Sequence, residues 1–268
     1  MQHCHISILC NELPFLKEKL PYLYKYFEQL IFIDYNIIDK GNSTDGSIEF
    51  IENFPDPDNK VKLIKDLNEE KLNKIKHYHG DSFIEKRKMF AIASYFVKDD
   101  IDIVWATDLD EFFETELIYE VEELFNADKS LQSIDLPHRI FVYNQYNYYN
   151  KSDFYIAPRI TRHKPKFLYG HCNFDKYGKT IKYTKRCLYH FAFVGYNRCS
   201  FKFNKVYTNN SFNHNEWLKI YAEKLKNKEK YIELCHSNIN LNLISEPYNG
   251  LYPDYLNVEK LSNELNNL

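Results

Sequence analysis

Apolar positions along the first 130 residues gather into short strand-length runs separated by stretches with helical spacing. The runs are HISILC (5–10), LIFIDY (30–35), KVKLIKD (60–66) and IDIVWAT (101–107). Short apolar runs bounded by polar residues suit strands covered on both faces. After the first run, Phe15, Leu16, Leu20 and Leu23 recur at helical spacing from about Leu13, with Pro21 expected to kink the helix. The turn-rich IIDKGNSTDGS follows the second run, and Ser43, Thr44 and Asp45 offer side-chain oxygens to start a helix carrying Ile48, Ile51 and Phe54. Residues 67–80 are polar and lysine-rich and read as a loop. Ser82 and Glu85 then stand at capping-box spacing before a helix through Phe96, with Phe83, Phe90 and Ala93 facing inward. A further helix, with Leu117, Val121, Leu124 and Phe125 on one side, follows the fourth run.

Strand and helix alternate four times, which predicts an α/β, Rossmann-like, mainly parallel sheet flanked by helices and wound with right-handed crossovers. Ligands of such sheets bind beyond the carboxyl ends of the strands. Those ends are Asn11-Glu12, Asp34, Asp66 and Asp108-Leu109-Asp110, all polar or acidic. Beyond about residue 130 the pattern changes. SIDLPHRIFVYNQYNYYN (133–150) and the stretch to Cys199 suggest strands and aromatic loops, and the segments near 215–234 and 258–266 read as amphipathic helices, giving a mixed α+β region.

Composition narrows the function. With 35 basic and 38 acidic residues the net charge is −3, which argues against general nucleic-acid binding. The charge is uneven: eight carboxylates and no Lys or Arg lie between Asp108 and Glu123, and nine Lys or Arg with one carboxylate, Asp175, between Arg159 and Arg186. Either run alone can be a solvated face; together they suit a site needing both a cation and an anion. The six cysteines form no CxxC pair, so free thiols in a reducing compartment, the cytoplasm or another, are expected. MQHCHISILCNELPF lacks the apolar stretch of a signal peptide, and no run approaches membrane-spanning length. A peripheral association with membranes stays open, as does the oligomeric state.

The most hydrophobic strand runs directly into DLDEFF (108–113). One carboxylate there can cap the following helix, and Glu111 and Glu114 would add to that effect. Capping does not explain two aspartates flanking a single leucine. Asp108 and Asp110 can both turn to a divalent cation of the Mg²⁺ or Mn²⁺ kind.

The N-terminal half resembles the nucleotide-binding half of glycosyltransferases of the type A fold (GT-A), similar to family 2 and its relatives bearing DxDEF. CNELPFL (10–16), STDGS (43–47), the Lys86-Arg87 helix and VWATDLDEF (104–112) occur in the expected order over about 110 residues. One departure is that FIDYN and STDGS are separated by IIDKG, so either Asp34 or Asp39 takes the base- or ribose-contacting role; Asp34 directly ends the apolar run. The resemblance implies a single domain over 1–268, with a nucleotide-sugar-binding half (1–130) and an acceptor-side half with C-terminal helices (131–268). It implies a transferase that uses a nucleotide-diphosphate sugar, UDP-linked rather than GDP-linked, with a carbohydrate-containing acceptor and inversion. Asn11, Glu12, Asp34, Asp66, Arg87, Asp108 and Lys205 would meet the donor. Asp108, Asp110 and His190 would hold the metal, the imidazole favouring Mn²⁺ over Mg²⁺. A base for the acceptor hydroxyl is sought among Asp135, His138, His171 and Asp175, with His171 and Asp175 preferred for their loop YGHCNFDKYG. Plain core or loop polarity is the alternative for His190, His171 and Asp175. Three other classes compete. A haloacid-dehalogenase-type phosphatase would open its domain with DxD, and a nucleotidyltransferase would carry a glycine-rich loop, whereas no Gly occurs between residues 1 and 40. A non-catalytic carbohydrate- or nucleotide-binding module of the same fold is the third.

Overall fold

A computed structural model of the chain describes residues 1–35, 42–67, 84–149, 156–164, 178–201, 214–227, 235–236 and 243–267. The chain forms two compact units, the first from Met1–Leu109, Thr115–Leu136 and Ala157–Tyr183, the second from Asp110–Glu114, Pro137–Ile156 and Thr184–Leu268.

In the first unit, β1 (His3–Leu9), α1 (Leu13–Tyr26), β2 (Gln29–Asp34), α2 (Ser47–Glu52), β3 (Val61–Ile64), α3 (Ile84–Ser94) and β4 (Ile103–Ala106) follow one another, and α4 (Thr115–Ala127) comes later. The strands lie in the order β3-β2-β1-β4, all parallel, and β8 (Ile156–Arg162) pairs antiparallel with β4. The first half of β6 (Leu131–Tyr143) pairs in parallel with β9 (Lys179–Lys182). This is a mixed α/β architecture whose central strands are parallel. All of β2 and β4 is buried, as strands covered on both faces must be.

The two faces of β1 differ in chemistry. Cys4 and Ile6 join Ile31, Ile33, Val104 and Ala106 in a core closed by Met89, Phe90 and Ala93 of α3. The alternate positions His3, His5 and Ser7 are polar yet almost fully buried, and buried polar groups need partners. Trp105 Nε1 donates to His3 Nδ1 at 2.9 Å, and His3 Nε2 donates to Glu122 at 2.9 Å. Both neighbours together fix one neutral tautomer of His3. HISILC therefore reads as a continuous apolar run only in part; it alternates.

The second unit holds β5 (Glu111–Phe112), the rest of β6, β7 (Asn147–Tyr149), β10 (Leu188–Val194), β11 (Cys235–His236) and β12 (Leu243–Pro247). β5 pairs antiparallel with β10 and β10 parallel with β6; β7 and β12 extend the sheet on the other side of β6. Helices α5 (Tyr196–Phe201), α6 (His214–Lys226) and α7 (Val258–Asn267) complete it. Phe141 stacks on Phe191 with centroids 4.9 Å apart, and Phe112 meets Phe191 edge-on.

One reading of the sequence changes. The helix after DLDEFF begins only at Thr115, with Glu116 as the acid of its first turn, so Asp108, Asp110 and Glu111 do not cap it; Glu111 is in a strand instead. The capping box at Ser82 lies outside the described residues, as does nearly all of the loop 67–80. Four described cysteines, Cys4, Cys10, Cys187 and Cys199, are free thiols. No helix among the described residues is long and apolar enough to cross a membrane.

Gly195 shows where the second unit tolerates least. Its φ is +92°, and an added Cβ would lie 2.7 Å from the Leu265 carbonyl oxygen. Its N–H donates to Tyr221 Oη at 2.8 Å, and that hydroxyl donates to the Tyr143 carbonyl at 2.5 Å. Gly195→Ala is expected to lower the unfolding free energy by about 1–3 kcal/mol through overpacking, with backbone strain added. Thermal melts of the two proteins check this; an unchanged melting temperature would contradict the packing described.

Candidate functional site

The carboxyl ends of β1, β2 and β3 are tied together by the 42–47 segment. Ser43 N–H donates to Asp34 Oδ2 at 2.9 Å, while Ser43 Oγ accepts the Asn11 N–H at 3.0 Å. Asn11 Oδ1 accepts the Thr44 N–H at 2.8 Å, and Asp45 accepts the Leu13 N–H at 2.8 Å. Asn42 and Asp66 exchange two bonds, at 2.8 and 3.0 Å. Asn11 and Asp66 adopt φ of 57° and 59°, a region that asparagine and aspartate tolerate better than other side chains. Asn11, Asp34 and Asp66 are thus brought to one cluster of loops, with Glu12 preceding α1 beside Asn11.

Asp34 is the unusual member. It is fully buried, and its Oδ1 has no hydrogen-bond partner among the described residues. Burial raises its pKa above the ordinary carboxylate value, while the Ser43 hydrogen bonds act the other way and Asp45 and Asp66 add to the rise. A buried acceptor without a partner is costly, and a ligand N–H would satisfy it.

The end of β4 is held from below. Lys19, a fully buried lysine on α1, donates to the Asp108 carbonyl at 2.6 Å and to Thr107 Oγ1 at 3.0 Å. Because an ammonium only donates, Thr107 Oγ1 accepts there and its own proton is available to His5 Nε2, 2.7 Å away. Ser7 Oγ donates to the Thr107 carbonyl at 2.7 Å, leaving its oxygen to accept from His5 Nδ1 at 3.4 Å. The chain of bonds fits a neutral His5 carrying its proton on Nδ1, assigned here from donor counting. Burial first, and the Lys19 charge second, push the His5 pKa well below the usual imidazole value, against a smaller opposing pull from Asp108. Asp108 itself is half-buried.

Asp110 and His190 both belong to the second unit. Asp110 is 4% exposed, and its Oδ2 is ion-paired with Arg198 Nη2. Arg198 Nη1 also donates to the Phe191 and Ala192 carbonyls, both at 2.9 Å. Asp110 Oδ1 lies 3.6 Å from His190 Nε2. The other nitrogen of His190 faces Glu111, with Nδ1 4.0 Å from Oε1, and His138 Nδ1 lies 3.5 Å from the same oxygen. Strand register explains this meeting. His190 stands opposite Glu111 across β5–β10 and opposite Ile140 across β10–β6, and His138, two residues before Ile140, shares its face. By position alone Glu111 reads as a helix-end acid. Its apolar neighbours Leu109, Phe112 and Phe113, all buried, signal a strand.

Several members of both charge runs are engaged within the fold. Tyr189 donates to Glu114 at 2.6 Å, Arg186 pairs with the same carboxylate, and Tyr183 donates to Glu120 at 2.5 Å. Arg162 donates to the carbonyls of Leu131 and Phe125, and Lys179 pairs with Asp128 at 2.6 Å. Asp135, in β6, accepts the Tyr183 N–H on its carbonyl at 2.9 Å. His171, Asp175 and Lys205 lie outside the described residues, and of Arg87 only its place in α3 is described.

No family model and no curated protein matches the chain. Among solved structures, the crystal structure of S. aureus TarS 1–349 is similar over 54% of this chain and 36% of that one, with 15% sequence identity and a TM-score of 0.36. The chain thus spans about a third of the length of that structure.

His5 yields a pH prediction. A folded-state pKa below the unfolded value of about 6.5 means that the unfolded chain binds the extra proton first. Stability is then full above about pH 6.5 and falls on acidification, by up to about 1.4 kcal/mol per pH unit until the folded-state pKa is reached. His3 and His163, both lowered chiefly by burial, act in the same sense. Denaturant titrations between pH 7 and 5 should show this decline, with a smaller slope for His5→Gln. Equal slopes would contradict a neutral buried His5.

Proposed function

We propose that the chain is a metal-dependent glycosyltransferase of the GT-A type. It moves a sugar from a nucleotide-diphosphate donor, UDP-linked, to a glycan, glycoprotein or glycolipid, with inversion. The observation that carries this reading is the buried, unpartnered Oδ1 of Asp34 within the cluster of loops at the carboxyl ends of three parallel strands. Uracil presents an N3–H donor, which a carboxylate oxygen accepts. Asn11, Ser43 and Asp66 hold that carboxylate and its surroundings in place.

Asp108 and Asp110 supply the carboxylates for a divalent cation, Mn²⁺ or Mg²⁺. The half-buried Asp108, its carbonyl fixed by Lys19, suits an exchangeable ion. Such a cation neutralises the charge that develops on a diphosphate leaving group. Lys205 and Arg87 are assigned to the diphosphate, and Glu12 to the donor. His171 and Asp175 are assigned to the acceptor hydroxyl proton.

One observation favours a second reading, a non-catalytic nucleotide-binding module. Asp110 is nearly buried and already paired with Arg198, so an arriving cation must share or displace the guanidinium. Donor binding without turnover would select this reading.

Thermal unfolding with UDP, CDP and GDP, each with and without Mn²⁺, tests the proposal. A ligand that binds only the folded state adds about 2.7 kcal/mol at a hundredfold excess over Kd. UDP with Mn²⁺ is expected to stabilise the wild type. Asp34→Asn keeps an acceptor for Ser43 but turns an NH₂ toward the base, so it should lose UDP at least tenfold and gain CDP, whose N3 accepts. Stabilisation by UDP that is indifferent to Asp34→Asn would overturn the placement of the base.

A further inference from the structure

Glu111, His138 and His190 come from residues 111, 138 and 190 and meet on one face of three adjacent strands, β5, β6 and β10. One ligand atom from each lies within 4.8 Å of the others. The side chains of Glu111 and His138 are wholly buried and that of His190 is 17% exposed. The His190 Nδ1 is itself buried and makes no hydrogen bond among the described residues.

We infer that these three side chains form a buried site for a transition-metal dication, separate from the cation proposed for the donor. Ligand–metal bonds of about 2.1 Å at tetrahedral angles separate ligand atoms by about 3.4 Å. The 3.5 Å between His138 Nδ1 and Glu111 Oε1 meets that value, and the 4.0 Å from His190 Nδ1 requires a small closing movement. Two imidazoles and one carboxylate select Zn²⁺, Co²⁺ or Mn²⁺ over the harder Mg²⁺ and Ca²⁺.

The far side of His190 has the surroundings of a metal ligand as well. Its Nε2 lies 3.6 Å from Asp110 Oδ1, longer than a hydrogen bond but on the side where an outer carboxylate orients a metal-bound histidine. Arg198 holds the other oxygen of Asp110. In this inference His190, implied by the family resemblance as a third ligand of the donor's cation, serves a different ion. That ion would pin β5, two residues long, to β6 and β10. The inference does not depend on the transferase reading.

The test uses the full chain, stripped with chelator and titrated with Co²⁺ and Zn²⁺ without nucleotide. One equivalent of Co²⁺ should bind, give the visible absorption of a low-symmetry nitrogen–oxygen site, be displaced by Zn²⁺ and raise the melting temperature; Mg²⁺ should do none of this. Glu111→Gln and His138→Gln should each weaken Co²⁺ binding by at least about a hundredfold, the upper end of the loss caused by removing an outer partner. Asp108→Asn should leave it unchanged. Should the core variants fail to fold, electron spin-echo spectra of wild type loaded with Mn²⁺ decide, since two ligating imidazoles leave a nitrogen modulation. Absence of a stoichiometric Co²⁺ site, unchanged affinity in the folded variants, loss in Asp108→Asn, or no imidazole modulation overturns the inference. Loss of UDP-sugar turnover alone would speak only to the transferase reading.

Discussion

A lysine ammonium with no exposed surface anchors the end of the strand on which the proposed chemistry depends. Lys19 is buried on α1 and donates to the carbonyl of Asp108 and the hydroxyl of Thr107. Burying a charge is costly unless its hydrogen bonds are made, so these contacts constrain the surrounding groups. Thr107 must accept from Lys19, His5 must accept from Thr107, and Ser7 must close the chain onto the Thr107 carbonyl. His5 and Ser7, on the polar face of β1, thus satisfy the end of β4. That end holds the backbone of Asp108 in place, which under the proposed function is the preorganisation that electrostatic catalysis needs.

The parallel strands were legible because β2 and β4 are buried on both faces and so carry unbroken apolar runs. The helices after them were legible from spacing, within a few residues at their ends. The polar half of β1 was not, since its histidines and serine are explained only by Trp105, Thr107 and Glu122, about a hundred residues away. β5 is two residues long and exists through pairing with β10. Only the apolar neighbours Leu109, Phe112 and Phe113, all buried, distinguish such a strand from the start of a helix. Its consequence is large, because Glu111 becomes a buried group facing two histidines instead of an acid at a helix end.

The charge runs teach a related point. Read along the chain, eight acids followed later by nine bases suggest a site for ions of both signs. In the structure, Glu114, Glu120, Arg162, Lys179 and Arg186 are engaged with one another's strands and helices. The acids of unusual geometry are Asp34, outside both runs, with an oxygen unsatisfied, Asp108 half-buried on a fixed backbone, and Asp110 and Glu111 beside His190. Burial and partners, more than abundance, separate them from the rest.

The most direct measurement is a crystal structure of the chain grown with UDP and Mn²⁺, with data collected at the manganese edge. The proposed function predicts uracil N3 against Asp34 Oδ1, and an anomalous peak between the diphosphate and the carboxylates of Asp108 and Asp110. UDP bound away from Asp34, or a diphosphate with no manganese beside Asp108, would contradict it.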